Sequence, residues 1–339
     1  MNSRAHAFIS LIVIALLGCG FSSGAQSQNP SQIKEPQEDD VVRINTALVS
    51  VPVSVKSRDG GFISNLRRED FHIFEDGVEQ EIAHFETADQ PFTVVLMLDV
   101  SDSTKVELKD IQNAALAFLN QLQPNDSAQI VAFDKNVTTL TELTRNRQVL
   151  SEAIRRVSTG GGTGLYDAME IVMTGNQKRV AGRKALVILT DGIDTSSVRA
   201  TYESTVPLAY AQYALVYPVQ YDSARDVLGK QLSADNSGFG ATIYTTARGE
   251  PISKAFERGT RYLWTIAQVS GGRFQYAAGL KDLEHSFALI AEELRQQYSL
   301  GYYPKNRAKK KKRRLKITVD APGNVVHARE SYTYNPDHP

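Results

Sequence analysis

The 339-residue chain balances 38 Lys and Arg against 38 Asp and Glu, and 42% of its residues are hydrophobic. A formal net charge of zero provides no bulk field for a polyanion, so nucleic acid is not an expected partner. A single cysteine excludes a disulfide scaffold, and the length suits two ordinary domains or one large domain with an accessory unit.

Residues 1–25 read as a signal peptide. Arg4 supplies a short basic start, and residues 7–17 (AFISLIVIALL) form an apolar stretch shorter than the roughly 18–20 residues of a membrane-spanning helix. Two cleavage readings stand side by side. Leu16-Leu17-Gly18-Cys19 resembles a bacterial lipobox, with Cys19 the lipidated first residue; Ser23-Gly24-Ala25 offers a small-residue site for ordinary cleavage. Both export the chain, to the periplasm, to the outer membrane as a lipoprotein, or out of the cell. Residues 26–40 are polar, carry Pro30 and Pro36, and read as a tether.

Residues 41–90 read as a small β-unit. Val49, Val51, Val53 and Val55 alternate with Ser50, Pro52, Ser54 and Lys56, the pattern of a half-buried strand. Arg58-Asp59-Gly60-Gly61 is a hairpin signal, and short strands at 71–74 and 82–85 flank the turn Glu75-Asp76-Gly77. A unit this small leaves sheet edges open and needs further strands.

A different rhythm holds over 91–297. Residues 93–98 (TVVLML) are continuously apolar, as in a parallel strand buried on both faces, and end at Asp99. Helical spacing follows over 105–122, then a strand at 128–133 and an edge strand at 137–140. Helices at 149–157 and 165–175 precede a second buried strand, 185–190 (ALVILT), which runs into Asp191. A helix over 202–212, despite Pro207, leads to a strand at 214–221; a helix at 259–269, a strand at 273–276 and a helix marked by Leu283, Phe287, Ile290 and Leu294 complete the series. The alternation predicts an α/β fold, a doubly wound and mainly parallel sheet with helices on both faces. Within it, the stretch 222–258, from Asp222 to Arg258, is far longer than an ordinary connection; leaving the carboxyl end of the strand 214–221, it is expected to surround a binding site at that edge and contact the partner there, with a disordered surface loop as the alternative. Strand patterns return at 298–303, 315–319 and 327–334, and segment 298–335 is expected to pair with 41–90 as a small β-sandwich.

Three loops carry the chemistry. Asp99-Val100-Ser101-Asp102-Ser103 leaves the first buried strand, Gly160-Gly161-Gly162-Thr163-Gly164 opens a helix, and Thr190-Asp191-Gly192 ends the second buried strand. In an open α/β sheet all three fall at the carboxyl ends of the strands, where ligands bind. Asp99, Asp191, Ser101, Ser103 and Thr163 offer two carboxylates and three hydroxyls, hard oxygen donors suited to Mg2+, Ca2+ or Mn2+. Asp and Ser after a strand are by themselves commonly a helix cap; the other two loops in register change that reading. The combination of D-x-S-x-S, Thr and Asp resembles the metal-ion-dependent adhesion site of von Willebrand factor type A and integrin I domains, over about 92–297. The wider chain resembles exported proteins of acidobacterial type related to that family. The resemblance implies that Ser101 and Ser103 ligate the ion directly, Thr163 directly or through water, and Asp99 and Asp191 mostly through water. It further implies an open coordination position filled by a partner's Asp or Glu.

Other motifs fail on their own residues. Thr104 stands where a calcium loop needs its turn glycine, no Gly-Lys-Ser/Thr follows the glycine run, and the six histidines are scattered. No Ser/His, Cys/His or adjacent-carboxylate set can be assembled for catalysis, so a binding module is expected rather than a hydrolase, with an envelope scaffold stabilised by its ion as the alternative. The run 307–314 (RAKKKKRR), from Arg307 to Arg314, reads as a solvated hairpin tip or as a contact for an anionic surface. Apart from a lipid anchor at Cys19, it is the one route to a membrane.

Overall fold

A computed structural model describes residues 48–87, 90–101, 108–175, 182–211, 214–221, 245–246, 249–306, 312–320 and 323–333. The signal peptide with Cys19, the tether, Ser103, residues 222–244 and most of the basic run lie outside them. Strands β1 (Val49–Lys56), β2 (Phe71–Glu75), β3 (Val78–Gln80) and β4 (Ile82–Glu86) come first. There follow β5 (Phe92–Asp99), α1 (Leu108–Gln121), β6 (Ser127–Phe133), β7 (Val137–Thr139), α2 (Arg147–Arg155), α3 (Leu165–Thr174) and β8 (Arg183–Thr190). Next come α4 (Tyr202–Ala211), β9 (Ala214–Tyr221), α5 (Ile252–Ser270), β10 (Gln275–Ala277) and α6 (Leu280–Arg295). Strands β11 (Gln297–Tyr302), β12 (Arg313–Val319), β13 (Val325–Ala328) and β14 (Ser331–Tyr332) close the described chain.

The central sheet runs β10-β9-β8-β5-β6-β7, parallel throughout except for the antiparallel edge strand β7. Its middle strand β5 is apolar on both faces because both are covered. Val94, Leu96 and Leu98 pack with Ile111 and Phe118 of α1, Leu150 of α2 and Phe287 of α6. Val95 and Met97 face the opposite core, with Leu165 and Met169 of α3 and Tyr262 and Ile266 of α5. This is the doubly wound α/β architecture expected from the alternation of elements.

Two four-stranded sheets, β13-β1-β11-β4 and β14-β12-β2-β3, are built from both ends of the described chain. β1 lies antiparallel between β11 and β13, with Val51 opposite Leu300 and Val53 opposite Ala328. The alternating valines of β1 enter a core with Phe71, Ile73, Tyr298, Leu300 and Leu315. Inside that core is a charge: Glu75, 3% exposed, pairs with Arg313, 1% exposed, at 2.5 Å. Tyr302 and Tyr332 both donate to the other oxygen of Glu75, at 2.6 and 2.5 Å.

The structure departs from the sequence reading in three places. Asp76 and Gly77, both at positive φ, turn β2 into β3, and β4 belongs to the other sheet. The expected strand 327–334 divides into β13 and β14, which pair with β1 and β12 in different sheets. Helix α5 begins at Ile252, seven residues before the expected Gly259, so the end of the stretch 222–258 is helical. Its first inward positions are Ala255 and Gly259, too small to register as an apolar stripe. At the opposite edge of the central sheet, buried Arg183 donates to the carbonyl of Gln90 at 3.0 Å and to that of Leu294, joining the start of β5 to the end of α6.

Candidate functional site at the carboxyl edge of the sheet

The three loops meet at the carboxyl ends of β5, β6 and β8. Gly160 donates its backbone N–H to the Val100 carbonyl at 2.8 Å, which ties the first loop to the second. Thr195 and Ser196 donate theirs to the Thr163 carbonyl, each at 2.8 Å, which ties the second to the third. Thr163 N–H in turn donates to Thr195 Oγ1 at 2.8 Å. A side chain at Gly160 is excluded by the fit, because its Cβ would lie 1.8 Å from Asp134 Oδ2. The backbone carbonyl of Asp134, just after β6, accepts the Gly164 N–H at 2.7 Å.

Asp99, Ser101, Thr163 and Asp191 are all buried. Asp99 Oδ1 accepts the Ser101 N–H at 3.1 Å, and Thr190 Oγ1 donates to Asp99 Oδ2 at 2.6 Å. Asp191 Oδ1 accepts the Ile193 N–H at 2.9 Å, and Gln220 Nε2 donates to the Asp191 carbonyl at 2.7 Å. Burial, and then the charge of Asp191, push the Asp99 carboxyl up to about 7, against the hydrogen bonds from Thr190 and Ser101. Two buried carboxylates whose charges act on each other favour a proton or a cation between them. The donor set fits a hard divalent ion: carboxylates with the hydroxyls of Ser101 and Thr163, and no soft ligand. Among the described residues no group of three His, Cys, Asp or Glu side chains gathers as a metal cage.

The supporting groups were not read from the sequence. The Asp167 carboxylate, in α3, accepts the N–H groups of Val198, Arg199 and Ala200 at 3.0, 3.0 and 2.7 Å. Asp194 accepts the Tyr166 N–H at 3.3 Å and the Ser197 hydroxyl at 2.5 Å. Together they fasten the segment after Asp191 to the start of α3. A signal existed for Gln220, a polar residue at the end of the otherwise apolar strand β9. The run of Asp, Thr and Ser over 194–197 was another, since such residues fold back on the backbone.

Residues 94–193 match the family described as von Willebrand factor type A domain. An uncharacterized protein of Synechocystis is 29% identical over 109 residues, 30% of this chain and 25% of that one. A UPF0353 protein of Mycolicibacterium paratuberculosis is 23% identical over 229 residues, 59% of this chain and 60% of that one. The chain thus spans less than two thirds of either curated relative. Among solved structures, a von Willebrand factor type A protein from Catenulispora acidiphila is 10% identical with a TM-score of 0.47, over 86% of this chain and 74% of that one. The pilus adhesin SpaC from Lactobacillus rhamnosus GG is 11% identical with a TM-score of 0.46, over 81% of this chain and 44% of that one.

Proposed function

We propose, from the premise that residues 94–193 form a von Willebrand factor type A domain, that the chain is a cation-dependent binding module acting outside the cytoplasm. The observation that carries the reading is the buried pair Asp99 and Asp191, whose mutual repulsion a divalent ion would relieve, set beside the hydroxyls of Ser101 and Thr163. Ser101, Ser103 and Thr163 would hold Mg2+, Ca2+ or Mn2+, with Asp99 and Asp191 acting mostly through water. When bound, the ion offers an open position to the carboxylate of a protein or peptide partner. The chain's own contribution is rigidity: the backbone ties among residues 100, 160, 163, 195 and 196 fix the loops before any partner arrives. The pairing of β1 with β11 and of β2 with β12 supports an arrangement in which 91–297 is inserted into a sandwich made by 41–90 and 298–335. The apolar start of the sequence supports export.

Calorimetric titration with Mg2+ and Mn2+ tests the reading. Asp99→Ala and Ser101→Ala are expected to abolish binding while the circular dichroism of the sheet is retained. Unchanged ion affinity in both variants would overturn it.

A further inference from the structure

Helix α5 reaches the candidate site backbone to backbone. A Cβ at Gly259 would lie 2.2 Å from the Gly192 carbonyl oxygen, so the helix touches the residue that follows Asp191. The preceding residue, Arg258, stands one position from that contact in the same helix. Its guanidinium is near enough to the Tyr166 phenol for the two to act on each other's charge; the N–H of Tyr166 is held by Asp194, and Tyr166 stands three residues after Thr163. Arg258 is thus bracketed by the Thr163 loop on one side and the Asp191 loop on the other. Unlike the site carboxylates, it is open to solvent, with its side chain 39% exposed.

A carboxylate already occupies this cation. Glu250 Oε2 lies 2.5 Å from Arg258 Nη1, with its side chain 28% exposed. Glu250 belongs to a short turn: Thr246 donates its N–H to the Glu250 carbonyl at 2.7 Å, and Gly249 donates to the Thr246 carbonyl at 2.8 Å. A partly exposed ion pair contributes little net stability, and a turn is more easily shifted than a helix or a central strand. The pair is therefore exchangeable at small cost.

We propose that Arg258 is a second contact for the acidic partner, pairing with a carboxylate beside the one on the metal ion, and that Glu250 occupies it until that carboxylate arrives. This assigns a partner class narrower than a single acidic residue: a segment presenting two carboxylates close together. The proposal rests on the metal-dependent reading of the site. The planar guanidinium suits a bidentate carboxylate, which a lysine at this position cannot reproduce.

The test uses the full chain with immobilised poly-L-glutamate at fixed ionic strength, counting only binding that a chelator removes; Mg2+ affinity is measured separately by calorimetry. Arg258→Gln should weaken chelator-sensitive binding several-fold, Arg258→Lys by less, and Glu250→Gln should strengthen it, all with unchanged Mg2+ affinity. Equal poly-L-glutamate binding in wild type, Arg258→Gln and Glu250→Gln would overturn the proposal while leaving the metal site intact. So would a wild-type protein that binds Mg2+ but not the polymer. A wild type without Mg2+ affinity would instead remove the metal reading itself. Glu250→Gln lies on a surface turn and keeps the test open should Arg258→Gln fail to fold.

Discussion

Glu75→Ala removes the anion at the centre of the sandwich network. It takes the neighbouring carboxylate from the guanidinium of Arg313, 1% exposed, beside a core of valine, isoleucine and tyrosine. The two phenols lose their shared acceptor but keep each other, with the Tyr302 and Tyr332 oxygens 3.3 Å apart. The loss of the carboxylate beside a buried cation therefore dominates the cost, and breaking a buried pair from one side costs about 3–5 kcal/mol. That is a large share of the roughly 5–15 kcal/mol by which a domain is stable. Glu75→Gln keeps an acceptor for the tyrosines, and is expected near the lower end of that range. Removing both charges at once, as Glu75→Leu with Arg313→Met, should cost far less than either single change, because no ion is left to desolvate. Urea unfolding followed by near-ultraviolet tyrosine dichroism reads all four proteins. A loss below about 1 kcal/mol for Glu75→Ala would refute the reasoning, since it would mean that water reaches Arg313.

Other expectations are more local. Gly259→Ala places a methyl against the Gly192 carbonyl, and is expected to cost about 1–3 kcal/mol and to weaken Mg2+ binding by moving the Asp191 loop; calorimetry showing wild-type affinity would contradict the contact. Burial raises the Asp167 carboxyl, but the N–H groups of Val198, Ala200 and Arg199 outweigh it and leave the group below the usual carboxylate value. Its folded value being depressed, its contribution is complete above the ordinary carboxylate range and vanishes as pH falls through the folded value. Asp167→Asn should thus cost about 2 kcal/mol at pH 7 and progressively less as pH falls through the folded value; a loss independent of pH in denaturant titrations would argue against the carboxylate.

The sheet of the α/β body was readable because its strands announce themselves. TVVLML and ALVILT admit no amphipathic alternative, and each runs to an aspartate, which fixed where the loops would gather. The backbone ties that lock those loops were not readable, since each joins residues some thirty or more positions apart. The early start of α5 was hidden by the smallness of Ala255 and Gly259. The switch of the chain from β13 to β14 was hidden too, because two short strands in different sheets look like one when only alternation is visible. Glu75 and Arg313 are a harder case. A Glu beside the turn and an Arg at the end of a basic run both carry the pattern of exposed residues, and only their shared partners bring them inside.

Arg183, clasped to the carbonyls of Gln90 and Leu294, bears on the order in which the molecule folds. Strand β1 is made early, yet both its neighbours, β11 and β13, are made last. Val51 has to wait for Leu300, about 250 residues later, and closing so long a loop from an unstructured chain is slow. A finished α/β body shortens the problem. With its entry and exit fastened by one guanidinium, the flexible chain left between the partners is only about 45 residues, which lowers the closure cost by roughly 1.5 kcal/mol. The valine strand then meets its partners only after the site-bearing body exists, so no protein with a paired β1 and an unformed sheet should accumulate. Pulsed hydrogen exchange during refolding reads that order directly: β1 amides protected ahead of those in β5 would contradict it.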